Sequence, residues 1–112
     1  MSDRSPKLLI DDILASADKI RRYTAGMTFD QFTLDEKTTD AVARNFEIIG
    51  EAANRLSSDF KRQHPNIDWN RIRGFRNRIV HDYFGIDYSI VWKISENYLP
   101  KLVAELECLK LN

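Results

Sequence analysis

The ten residues FRNRIVHDYF, Phe75 to Phe84, hold two arginines, a histidine, an aspartate and a tyrosine. Arginine stays charged at any physiological pH and offers a planar donor fork that suits phosphate oxygens. Histidine, with a reference pKa of ~6.5, can accept or release a proton near neutrality. Arg76, His81 and Tyr83 thus bring an anion holder, a proton carrier and a phenolic hydroxyl onto a short helical stretch. Arg71, Arg73, Arg76 and Arg78 add positive charge with no acid among them. That charge is local, because 17 basic and 17 acidic side chains cancel over the 112 residues. No whole-molecule field draws in nucleic acid.

Taken singly these residues say little. A solitary helical histidine such as His81 is usually an ordinary surface residue. Tyr83 alone reads as half-buried core with its hydroxyl at the edge, and His64, before Pro65, as surface. Winding Asp68 to Phe84 as one helix is more informative. Phe75, Ile79, Ile72 and Tyr83 share an arc, with Trp69 and Val80 at its edge. Asn77, His81, Gly74 and Arg78 lie opposite. Arg76 falls inside the apolar arc, where an unpaired charge is strongly disfavoured. Two readings stay open: an ion pair with Glu47 or Glu51, which share a face of the preceding helix, or a place beside a cleft. No histidine follows either glutamate at the third position, so the Glu-x-x-His pattern of di-iron bundles is missing.

The elements that must position this group are helical. Ser5 and Pro6 open a first helix carrying Leu9, Ile13, Ala17 and Ile20, and Gly26 is its expected stop. Met27 to Leu34 reads as a loop or one short turn. A second helix is expected from Asp35 to about Phe60, with Val42, Phe46, Ile49, Ala53 and Leu56 at helical spacing. Gly50 within it costs ~1 kcal/mol against alanine and suggests close approach of another backbone. The third helix is expected from Asp68 to Phe84. The fourth starts at Asp87, and Pro100 should kink it by removing the bond to the Glu96 carbonyl. The fold class is all-α: one domain over residues 1–112, an antiparallel bundle of four main helices with room for a fifth short one.

Several classes drop out. A single cysteine, Cys108, excludes an internal disulfide, and its place in an apolar helical pattern suggests packing. No apolar run approaches the ~18 residues of a membrane span. MSDRSPK lacks the order of a signal peptide. A cytoplasmic protein is expected.

The spacing Arg76-x-x-x-x-His81-x-Tyr83 in RNRIVHDY resembles the signature of HepT-like proteins, within the HEPN superfamily of helical ribonucleases. RNFEIIGEAANRL, Arg44 to Leu56, and IDWNRIRGFRNRIVHDYF are similar to the same proteins over nearly the whole chain. The resemblance implies a HEPN-like fold and a ribonuclease toxin whose antitoxin is a small nucleotidyltransferase. It implies Arg76 and His81 as the catalytic pair, Asn77 as the polar residue after the arginine, and Tyr83 as a site of AMP addition. No cofactor or metal is implied for the chain itself.

RNA cleavage by the 2′-hydroxyl needs a base, an acid for the leaving 5′-oxygen, and positive charge for the phosphorane. One chain supplies one motif histidine for two proton transfers. A two-fold homodimer with third helices face to face would place two His81 and two Arg76 around one cleft. Asn77 and Tyr83 would line it, and Arg73 and Arg78 would hold flanking phosphates. The alternative is a non-catalytic helical dimer that binds nucleotide or a nucleotidyltransferase partner.

Overall fold

A computed structural model of the chain describes residues 4–79 and 85–109. Their regular elements are all helices, with no strand among the described residues, and no described helix is long and apolar enough to cross a membrane. Helix α1, Pro6–Thr24, opens as expected: the Ser5 hydroxyl accepts the Leu8 N–H at 3.2 Å, and Pro6 occupies the first turn. It ends before Gly26, whose φ of 77° is open to glycine at no steric cost. Of the two readings of the Met27–Leu34 segment, the short helical one holds. Its six residues, α2 (Phe29–Leu34), are closed by a capping box between Thr28 and Gln31. Phe32 is thereby fully buried, its ring 5.2 Å from that of Trp92.

Helix α3, Glu36–Arg55, begins at Asp35, whose carboxylate accepts the Thr38 N–H. That hydrogen bond holds the Asp35 carboxyl below its usual pKa. The helix stops sooner than its periodicity suggests. Leu56 turns extended, and Ser57 caps a separate helix α4, Ser58–Gln63, by accepting the Phe60 N–H. Leu56 and Phe60 are both buried across the break, so the apolar spacing runs on where the hydrogen-bond ladder does not. A serine able to bond a neighbouring N–H gives the backbone this alternative.

The chain continues through α5 (Trp69–Arg73), α6 (Phe75–Ile79), α7 (Tyr88–Lys93), a π-helical turn (Ile94–Tyr98) and α8 (Leu99–Glu107). The π turn directly precedes Pro100, where the sequence leads one to expect a kink. The Leu99 N–H reaches back five residues to the Ile94 carbonyl, just before the proline that has no N–H to donate. Helices α1 and α3 form the principal packed pair; α3 also packs on α5 and α6, and α1 on α8. Phe46, Phe75 and Tyr98 join these layers through edge-on ring contacts at 5.3 and 5.9 Å. Each buried ring contributes roughly 1.5–3 kcal/mol of hydrophobic stabilisation. Cys108 does not pack: it is exposed, at the end of α8, two residues past the inward-facing Leu106.

Candidate active site

The predicted third helix is two helices. Asp68 caps α5 by accepting the Arg71 N–H at 3.0 Å, and Gly74 ends it. Gly74 then supplies the carbonyl that accepts the Arg78 N–H at 3.2 Å, so α6 restarts at once. A β-carbon at Gly74 would lie 3.2 Å from the Asn70 oxygen, which favours glycine at this junction. The expected close approach at Gly50 is present: a β-carbon there would meet the Ile72 and Arg73 carbonyl oxygens at 3.4 and 3.3 Å. Glycine in α3 thus lets the α5–α6 junction rest on its backbone.

The apolar face of the wheel survives the break. Ile72, Phe75 and Ile79 are fully buried and Trp69 nearly so. The Trp69 indole N–H donates to the His64 carbonyl at 3.0 Å, and the His64 ring lies 4.6 Å from that of Phe60. His64 is therefore a half-buried packing residue rather than free surface. Arg73, Asn77 and Arg78 are exposed. Arg76 belongs to α6, but its side chain, and with it any pairing to Glu47 or Glu51, is outside what is described. His81 and Tyr83 lie outside the described residues as well. The chain on either side of them is joined: the Asp87 N–H donates to the Ile79 carbonyl at 2.7 Å.

The supporting residues divide between two depressions. Arg73 and Asn77 line an open groove of about 700 Å³ over Gly50 and Gly74, facing Glu47, Glu51 and Asn54 of α3. Glu47 is also 3.5 Å from Arg44, an exposed pair of the kind worth ~0–1 kcal/mol. The Lys61 ammonium has a lowered pKa, first because burial disfavours its charge and then because of the Arg73 guanidinium. Arg78 points elsewhere. It lines a second depression with Arg71 and with residues of α7, the π turn and α8. Sequence reasoning groups Arg78 with Arg73 because both flank the motif arginine. It misses Lys93, Asn97 and Lys101, although their spacing of four residues along one helical face is a signal.

The family model described as "Ribonuclease HepT-like" matches residues 13–109. The chain belongs to this family. A candidate RNase of Methanocaldococcus jannaschii is 39% identical over 107 residues, covering 96% of this chain and 98% of the relative. A protein of Thermococcus cleftensis named as a candidate ribonuclease HepT is 38% identical over 107 residues, 96% of this chain and 97% of its own length. A candidate RNase of Caldanaerobacter subterraneus is 31% identical over 104 residues, 93% of each chain. No solved structure matches. This HepT-like chain is accordingly placed among ribonucleases, and helix α6 carries Arg76, the first residue of the motif by which its sequence resembles them.

Proposed function

We propose that the chain is a metal-independent endoribonuclease, the toxin of a toxin–antitoxin pair, working as a single HEPN-like domain in a two-fold homodimer. The observation that carries this reading is the Arg76-x-x-x-x-His81-x-Tyr83 spacing in a member of a ribonuclease family. The burial of Phe75 and Ile79 supports it, because it ties the helix bearing Arg76 to the core, as Ile72 ties α5 before it.

In the reaction the ribose 2′-oxygen attacks the adjacent phosphorus, and the bond to the 5′-oxygen breaks. One His81 takes the proton of the 2′-hydroxyl while the partner copy's equivalent protonates the departing 5′-oxygen. Arg76 stabilises the charge that gathers on the phosphorane oxygens. Asn77 and Arg73 flank the scissile group with donors. A nucleotidyltransferase antitoxin, using ATP and magnesium in its own site, neutralises the toxin by adding AMP to Tyr83.

The test is cleavage of single-stranded RNA in the presence of EDTA. Wild type should yield 2′,3′-cyclic phosphate and 5′-hydroxyl ends. His81→Ala and Arg76→Ala should each lose at least ~100-fold in rate, within the usual range for a proton-transfer or charge-stabilising group. Full activity of His81→Ala, or strict dependence on an added metal, would overturn the mechanism.

A further inference from the structure

We propose that Arg71, Arg78, Lys93 and Lys101 form a phosphate-binding pocket that anchors the backbone of single-stranded RNA away from the motif residues. The inference rests on the ribonuclease reading and extends it from Arg78, which lies between Arg76 and His81, to three cations outside the motif. The four cations come from α5, α6, α7 and α8 and converge on one depression of about 460 Å³, with Asn97 and Tyr98 completing its wall. No carboxylate lines it among the described residues, and none of the four is in an ion pair there. In a chain whose charges cancel overall, these four cations are a local concentration of positive charge.

Arg71 is the built part of the site. Its guanidinium carbon lies 3.8 Å from the centroid of the Tyr98 ring, which holds the plane in place by cation–π attraction. Its Nε is buried and has no hydrogen-bond partner. The other guanidinium nitrogens of this fixed side chain are left to bond an entering phosphate oxygen by charge-assisted hydrogen bonds. Asp68 and Glu105 act on the Tyr98 hydroxyl through space, while the Asp68 carboxylate is engaged in capping α5. Lys93, Asn97 and Lys101 recur every four residues through the π turn, whose wider winding keeps residues at that spacing on one side.

RNA backbone suits this pocket because cations from four helices meet there with no lining carboxylate among the described residues, a match for the regularly spaced charge of phosphates. Cationic grooves that follow a phosphate backbone are the general means of holding single strands.

The probe is a 2′-O-methylated single-stranded RNA, which lacks the attacking hydroxyl and stays intact. Its binding is measured by fluorescence anisotropy over a range of KCl concentrations. Lys93→Gln/Lys101→Gln should weaken affinity about tenfold and flatten the log–log salt dependence by about 1 to 1.5, near 0.7 for each phosphate no longer neutralised. The same loss of charge at the exposed Lys19 and Lys37, outside the pocket, should change affinity less than about twofold. Wild-type affinity and salt slope in the Lys93/Lys101 variant would overturn the assignment. If that protein still cleaves ordinary RNA, the ribonuclease reading stands and only this site falls. A wild type that neither binds nor cleaves RNA removes both. Unchanged RNA binding with lost binding of a nucleotidyltransferase would give the pocket to a protein partner instead.

Discussion

Gly50 of α3 faces the carbonyl of Arg73 so closely that a β-carbon would stand 3.3 Å from its oxygen. This approach seats the α5–α6 junction, and with it Arg73 and Asn77, against the longest helix of the fold. Replacing Gly50 by alanine gains ~1 kcal/mol of helix propensity while forcing two carbonyls back by tenths of an ångström, so the net change should stay within about 1 kcal/mol. Gly50→Val sets a stiff branched side chain against the same two carbonyls and should destabilise by about 1–3 kcal/mol. Urea unfolding of the two variants checks this; a valine variant as stable as wild type would show that the junction yields freely.

Assembly is the second expectation. A single motif histidine per chain and an arginine in an apolar stripe both point to a site completed by a second copy. Light scattering at micromolar concentration should give about twice the 13.1 kDa chain mass. A monomer at all concentrations would remove the shared site.

Control should act at Tyr83. An adenylyl group there brings a phosphodiester charge close in sequence to His81 and Arg76, where it competes with RNA phosphate for the same donors. Coexpression with the cognate nucleotidyltransferase should add one or more AMP units to Tyr83 and abolish cleavage. Tyr83→Phe should remain a nuclease and escape neutralisation. Intact-mass spectrometry with peptide mapping decides the matter, since an unmodified Tyr83 in a fully inhibited protein would mean inhibition by binding alone.

Alkaline stability should depend on Tyr98. Burial raises its pKa above the ordinary value near 10, partly opposed by the Arg71 guanidinium. The folded chain therefore keeps this proton at a pH where the unfolded chain has lost it. Stability from this source is intact below pH ~10 and declines as pH rises through the folded value. Urea midpoints at pH 8 and pH 11 should fall further apart for wild type than for Tyr98→Phe. Equal shifts in both proteins would assign the loss to other groups.

The all-helical class and the apolar faces were legible from spacing, because burial repeats with the helical period and needs no knowledge of partners. Gly50, Gly26 and the Ser5–Pro6 start were legible for the same kind of local reason: each residue type answers one backbone requirement. The family signature lay in the order of Arg76, Asn77, His81 and Tyr83 and was complete before any fold was known.

Where helices stop was less legible. Leu56 and Phe60 stay buried on both sides of Ser57, and Ile72 and Phe75 on both sides of Gly74, so periodicity crosses breaks in the hydrogen-bond ladder. The grouping of charges was decided by tertiary structure alone. Asn77 and Arg78 are neighbours in sequence, yet successive helical side chains diverge by ~100°, and packing against α3 on one side and α7–α8 on the other places them in different depressions. Arg71, Lys93 and Lys101 meet because the third and fourth helical segments fold side by side, a proximity between residues up to thirty positions apart that no local pattern encodes.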